Sequence, residues 1–410
     1  MLLSRRRLLQ GAAAMAGQWS MSAVAAPALA QVADGHLGSL RGGEILPDPD
    51  FSLLWPKNPY LIGIRPHREG GIRLELENEP LTSPFGPKFL IHNYGHGGAG
   101  ITLSFGCAGV VADHVETLIK QMRPTRTRPS VAVIGSGVIG LTVASELRRR
   151  WPGLPVAVYA KALDVRRTTS FKAGGQFEPA GIYEEYETQE QRDVLADYLR
   201  RSRNRIVELG DSSLWRRYGI ALRRNYTLDH RNPGFDVFTP LDVVPRPRVG
   251  MLPFRSLNTL GREYRTWLIN PTVLLPHLAV DLRRQGVRFR RRAFADKEAL
   301  CRLRENILVN CTGYGAKALL DDQQMTARRG HLVILRKTSH KQFYFFSGGC
   351  ANYRAMYVFC RQHDIVVGGS VQAENDSETR TPEDDAVFGR VCDNARNVFA
   401  GLPAACERLR

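Results

Sequence analysis

The sequence predicts an α/β protein in which a Rossmann-like parallel sheet is interleaved with an antiparallel sheet. Three observations lead there. The apolar run Val131-Ala132-Val133-Ile134 passes through the glycine turn Gly135-Ser136-Gly137-Val138-Ile139-Gly140 into an amphipathic helix over 141–150. A second strand, glycine-rich turn and helix occupies 89–121. Short β-type runs separated by proline and asparagine fill 220–254, and further strand-like runs follow at 331–335, 357–359 and 365–367.

Taken in order, residues 1–30 are set aside first. Ser4-Arg5-Arg6-Arg7 leads an alanine-rich apolar run ending on Ala28-Leu29-Ala30, the layout of a twin-arginine export signal cleaved after Ala30. A plain secretory signal is the alternative, and either makes the expected location periplasmic or secreted, in a bacterium. Residues 31–50 are polar, glycine-rich and punctuated by proline, so they read as an extended lead-in. Alternation in Ile72-Arg73-Leu74-Glu75-Leu76 marks the first strand. Phe89-Leu90-Ile91 is the next, followed by the glycine-rich run 92–100 and a helix over 101–121. Arg123-Pro124-Thr125-Arg126-Thr127-Arg128-Pro129 has two prolines and no apolar side chain, which makes it a linker. After the 131–150 unit, Val156-Ala157-Val158-Tyr159 closes a βαβ motif. Helix is expected over 183–218 and over 264–285 with Pro271 inside it, strands at 286–289 and 307–313, and a final helix over 384–399.

The 410 residues carry a net charge of +17, which falls to +14 if Arg5, Arg6 and Arg7 leave with the leader. That balance suits an anionic substrate, an anionic cofactor or an envelope surface. The basic residues are scattered and form no recognisable nucleic-acid module, so nucleic acid is not an expected partner. The run 283–292 reads as a solvated helix end and strand. Seven cysteines show no CxxC spacing, no histidine pairs stand at zinc distances, and no metal site is expected. Cys107 and Cys311 read as buried thiols. Beyond the leader no run is long enough to span a bilayer, so no transmembrane anchor is expected.

The glycine turn at 135–140 carries a physical demand. Gly135 permits the tight turn, Gly137 lets the backbone approach a pyrophosphate, and Gly140 lets the helix pack on the strand with its N-terminus toward the anion. The acidic residue that holds an adenosine ribose at the end of the second strand is missing, since Tyr159-Ala160-Lys161 stands there. Asp164 is close enough in sequence to substitute. On this motif alone NAD and FAD both remain open.

A second group of residues chooses between them. His92-Asn93-Tyr94-Gly95-His96-Gly97-Gly98-Ala99-Gly100-Ile101-Thr102 closely resembles the glycine-rich signature of the D-amino-acid oxidase and D-aspartate oxidase family. Gly63-Ile64-Arg65-Pro66-His67-Arg68 and Ile72-Arg73-Leu74-Glu75 look like the stretch preceding that signature. The block 131–140, Val158-Tyr159-Ala160, Thr168-Thr169, the run 173–179 and Asn310-Cys311-Thr312-Gly313 resemble its FAD-binding blocks. Tyr353 and Tyr357, followed by Gly368-Gly369, resemble its substrate tyrosines.

The resemblance covers most of the chain beyond the leader, but its order is rotated. In the family the 131–140 type of block comes first and the 92–102 type last, which a circular permutation through the linker 123–129 would explain. It implies an FAD-binding Rossmann-like domain with an interleaved antiparallel substrate domain. The implied boundaries are a lead-in and part of the substrate domain at 31–85, FAD-binding residues at 86–185 and 260–325, and substrate-domain residues at 186–259 and 326–410, the last with a lid.

The resemblance also implies chemistry. FAD would contact Gly97, Gly98, Gly100, Thr102, Gly135, Gly137, Val138, Ile139, Gly140, Thr168, Thr169, Gly174, Gly175, Thr312 and Gly313. Arg65 would clamp the substrate carboxylate with its planar fork. Tyr357 would donate a second hydrogen bond to it, Tyr353 would sit on the lid, and the carbonyl of Gly98 would receive the amine. The implied reaction is hydride transfer from the α-carbon of a D-amino acid to the flavin, with dioxygen as the final acceptor and no side-chain base. A flavin dehydrogenase of a related amine and a non-catalytic flavin-binding protein are the alternatives. Glu178 replaces a glutamine that the family often turns to the active site, and Arg354 has the opposite charge, so side-chain preference is open. A homodimer is compatible with the sequence.

Overall fold

The computed structural model describes residues 40, 42–122, 127–179, 181–211, 214–228, 236, 245–350 and 353–401, excepting the side chains of 211, 349, 350 and 353–355. The expected export signal at 1–30, with Arg5, Arg6 and Arg7, lies outside the described residues, as do half of the lead-in and part of the linker.

Fifteen strands are found among the described residues. In chain order they are β1 (Tyr60–Arg68), β2 (Arg73–Leu76), β3 (Phe89–Tyr94), β4 (Val131–Ile134), β5 (Val156–Ala160), β6 (Ile220–Thr227), β7 (Arg248–Met251) and β8 (Leu260–Ile269). They continue with β9 (Arg288–Arg291), β10 (Ile307–Asn310), β11 (Met325–Arg336), β12 (Tyr344–Cys350), β13 (Tyr353–Cys360), β14 (Asp364–Gly368) and β15 (Gln372–Ala373).

The first sheet has the order β2-β3-β10-β4-β5-β9. Its inner strands β4, β5 and β10 are buried at every position, as parallel strands covered on both faces must be. Val131, Val133, Val156, Val158 and Val309 face the helices Gly100–Met122, Val138–Arg150 and Pro271–Arg284, while Ala132, Ile134 and Leu308 face a smaller cluster with Leu300, Leu303 and Leu319. The helix Gly100–Met122 crosses Gln189–Asp211 so closely at Gly106 that a Cβ there would lie 1.9 Å from the Tyr198 carbonyl oxygen. The segment Gly97–Met122 is long and apolar enough to cross a membrane by length and composition, contrary to the sequence expectation, yet most of it is buried in this core.

The second sheet has the order β1-β11-β14-β13-β12-β6-β8-β7, with β15 on β11. One face packs under the helix Pro382–Phe399 through Val333, Phe346, Val358, Val367, Phe388 and Val398. The other face carries Leu332, Ile334, Phe345, Phe359 and Val366, with Phe359 against Gly174.

Several expectations are corrected. The second sheet is mixed rather than antiparallel, because β12 runs parallel to β6. The first strand is β1, not 72–76; Pro66 interrupts its pattern, but β1 is an edge strand where a missing N–H costs no ladder bond. Residues 264–269 belong to strand β8, not to a helix. Asn270 caps the following helix by accepting from Thr272 N, and Pro271 sits at its first position, so the helix starts there. Strand β8 therefore joins the second sheet, while β2 edges the first, and the expected boundaries at 260 and 85 shift accordingly. Strand β3 runs on through His92, Asn93 and Tyr94, so the glycine turn starts at Gly95. Strand β12 was not anticipated.

Candidate active site

The neighbouring parallel strands β3, β10 and β4 all end in glycine turns at one edge of the first sheet. Ligands of open α/β sheets bind at such carboxyl edges. Gly135 has φ +124°, and a Cβ on it would lie 2.2 Å from the Cys311 carbonyl oxygen. A Cβ on Gly140 would lie 2.0 Å from the Gly135 carbonyl oxygen. Strand, turn and helix thus meet with no space for side chains. Gly137 is the extended N-cap of the helix Val138–Arg150 and supplies no side-chain cap; the Val138 N–H donates to Ser170 Oγ at 3.1 Å, and Ile139 stands in the helix's first turn.

Thr168 and Thr312 are engaged in local turns, and Thr102 ties two distant segments together. Thr168 Oγ1 donates to Val165 O and accepts from Phe171 N, capping the short turn Thr169–Lys172. Thr312 Oγ1 donates to Asn310 Oδ1. Thr102 Oγ1 donates to Glu178 O at 2.7 Å and accepts from Glu178 N at 3.0 Å, so it fixes the 176–178 segment. Asp164, the candidate substitute for the ribose acid, pairs with Arg166 at 2.9 Å, and Lys161 is exposed.

These turns reach the second sheet. Gly313 faces Pro66, and a Cβ on Gly63 would lie 3.7 Å from Thr169. Gly174 is held against Phe359 and Tyr357, and Gly175, at φ +93°, against the Ile269 carbonyl. His67 and His96 form an isolated bridge between β1 and the turn Gly97–Ala99. Arg65 and the exposed Gly98 each stand two residues from that bridge, and Gly100 begins the helix behind it.

Strand register brings Arg65 and Tyr357 to one face, because Arg65 pairs with Arg328 on β11 and Tyr357 with Gly368 on β14. Two glycines make room for them. A Cβ on Gly330 would lie 2.6 Å from the Arg65 guanidinium, and one on Gly368 would lie 2.3 Å from the Tyr357 ring. Arg65 lies beside Tyr357, whose hydroxyl pKa is raised by burial, with the neighbouring guanidinium acting in the opposite direction. Tyr357 also stacks on Phe359, with ring centroids 4.4 Å apart. Tyr353 opens β13, but its side chain, like that of Arg354, lies outside the described residues.

Sequence reasoning missed Gly330, Phe359 and a polar flank on the same face, and it noted Gly368 without its role in making room for Tyr357. An isolated glycine within a strand run signals close approach, and that signal was present for Gly330. On the flank, Asn225 Oδ1 accepts from Ser347 Oγ at 3.2 Å, and Tyr264 and Arg262 both donate to Asp236. Burial pushes the Tyr264 hydroxyl upward, with Glu178 among the nearby charges, so it remains a donor. Asn225 Nδ2 and both amide atoms of Gln176 are buried with no protein partner. Buried polar groups are seldom left so in a complete site.

A family model of FAD dependent oxidoreductases matches residues 130–409. The chain belongs to this family. This oxidoreductase is 28% identical over 277 residues to the D-amino-acid oxidase of Streptomyces coelicolor, covering 66% of this chain and 79% of that one. It is 25% identical over 266 residues to D-aspartate oxidase 2 of Caenorhabditis elegans, covering 60% and 70%. Among solved structures it resembles glycine oxidase from Bacillus cereus with a TM-score of 0.48 at 17% identity, over 64% of this chain and 78% of that one. The oxidoreductase takes FAD as its cofactor, and the side-chain-free cradle at Gly135 and Gly140 fits the close approach a pyrophosphate needs.

Proposed function

We propose that this oxidoreductase catalyses oxidative deamination of D-amino acids, converting substrate, water and dioxygen to a 2-oxo acid, ammonia and hydrogen peroxide. The observation that carries the reading is the convergence of Arg65 and Tyr357 over Gly330 and Gly368, with Tyr357 and Phe359 against Gly174. A guanidinium and a phenol side by side offer a carboxylate a charged donor fork and a hydroxyl. FAD supplies the hydride acceptor when bound. The protein's own groups hold the carboxylate, and the apolar face around Leu332, Phe345 and Phe359 keeps water away. The similarity to a D-amino-acid oxidase and a D-aspartate oxidase supports the amino-acid substrate.

The test is anaerobic addition of a panel of D-amino acids to the FAD-loaded protein. Bleaching of the flavin band by at least one of them, with peroxide formed on admitting air, is expected. Bleaching without peroxide would favour a dehydrogenase, and no bleaching with FAD retained would leave a flavin-binding protein without turnover.

We further propose that the chain is circularly permuted relative to its family. In support, the family match begins at residue 130, whereas β1, β3 and the helix Gly100–Met122 precede it and still complete both sheets. Phe51 and Phe399 also pack with ring centroids 5.9 Å apart, so the two places that would be joined in family order are neighbours. A chain reordered to run from 130 to 401 and on into 50–122 is expected to fold and bind FAD. An insoluble or FAD-free product would count against the permutation.

A further inference from the structure

Behind the second sheet lies a fully buried polar cluster that reaches the active face at one point. Arg65 Nη1 donates to the Ser370 carbonyl oxygen at 3.2 Å. Ser370 is buried and follows Gly369, whose φ is +145°. Its hydroxyl lies 2.8 Å from the backbone N of His331 and 2.9 Å from the ring Nδ1 of the same residue. On the other side of the ring, Nε2 stands 2.8 Å from Asp384 Oδ1. Asp384 is held in turn by Arg329, whose Nη1 has Gln372 and Asp384 as acceptors and whose Nη2 reaches Asp384 Oδ2 at 2.8 Å.

The proton positions follow from counting donors. Arg329 Nη1 also stands 2.9 Å from His331 Nε2, but its two hydrogens are taken by Gln372 and by the charged Asp384 oxygen, so His331 Nε2 carries a hydrogen and donates it to Asp384. Burial lowers the His331 pKa, with Arg329 and Arg65 acting in the same direction against Asp384, so the ring is neutral and Nδ1 is an acceptor. Ser370 Oγ then accepts the His331 backbone N–H and donates to Nδ1. Each group has one role, and the ring is braced between a helix-borne carboxylate and the turn that carries the Ser370 carbonyl.

We infer that His331 is a positioning residue for Arg65, acting through Ser370 to aim the guanidinium at the substrate carboxylate. The inference rests on the reading of Arg65 as the carboxylate clamp. His331 touches neither substrate nor cofactor; it holds the turn whose carbonyl takes one N–H of Arg65 and so limits the directions left to the others.

The experiment compares wild type, Ser370→Ala, His331→Leu and His331→Gln as FAD-loaded proteins. It measures KM and kcat on the best D-amino acid, the dissociation constant of benzoate from its perturbation of the flavin spectrum, and FAD stoichiometry. Ser370→Ala and His331→Leu are expected to raise KM and weaken benzoate by about ten-fold, the loss of one well-made hydrogen bond, with kcat within two-fold and FAD retained. His331→Gln, whose amide offers one donor and one acceptor, is expected to recover most of the affinity. Unchanged KM and benzoate affinity in Ser370→Ala would overturn the inference, and that variant decides the matter if His331→Leu does not fold. So would a fall in kcat with FAD retained and benzoate affinity unchanged. If wild type turns over no amino acid, the deamination reading fails, while the benzoate affinities still test the positioning role.

Discussion

Arg65→Ala is expected to raise KM for the amino-acid substrate by between about 30-fold and a few thousand-fold while FAD stays bound. The range corresponds to about 2–5 kcal/mol, the usual cost of removing one partner of a desolvated, hydrogen-bonded charge pair. The guanidinium lies flat over Gly330 on β11, beside Tyr357, and donates to the Ser370 carbonyl, so its orientation is set before substrate arrives. None of these contacts involves the glycine turns at 135–140, which is why cofactor content should not change. Arg65→Lys retains the charge but not the fork and is expected to fall between the two. Steady-state kinetics together with the FAD-to-protein ratio check this result. An unaltered rate at low substrate would remove Arg65 from the clamp.

Gly135→Ala is expected to yield protein with little or no FAD. The residue has φ +124°, a conformation L side chains rarely adopt, and its new methyl would collide with the Cys311 carbonyl at the end of β10. Strand β4 is pinned there on both sides, by the Gly135 N–H to Tyr159 O at 2.7 Å and the Cys311 N–H to Ile134 O at 2.8 Å. The clash must therefore be relieved by moving the turn itself, which is the surface offered to the pyrophosphate. Absorbance of the flavin band reads the loss, and circular dichroism separates it from global unfolding. Full FAD occupancy in a folded Gly135→Ala protein would show that the cofactor does not approach at this turn.

Much of the parallel sheet was legible because its signals are local. Val131–Ile134, the glycines that follow and the helix Val138–Arg150 occupy one short stretch, and each residue's demand is met by near neighbours. The second sheet was read less well. Strand β1 was hidden by Pro66, and 264–269 was mistaken for helix because its aromatic and charged residues also fit a helical period, until the Asn270 cap and Pro271 set the boundary. The mixed direction of β12 and β6 comes from pairing across more than a hundred residues, for which no nearby pattern exists.

By itself the sequence determined the nucleotide turn, the FAD-family motifs and the identity of Arg65 and Tyr357 as site candidates, since glycine spacing and residue type carry that information along the chain. Only the tertiary structure decided that Arg65 and Tyr357 touch, that Gly330 and Gly368 make room for them, and that His331 and Asp384 stand behind the clamp. Those relations depend on the register of β1, β11, β13 and β14. A shift of one residue in any of these pairings would send the side chains to the opposite face, and register is set by the packing of the whole sheet rather than by any one strand.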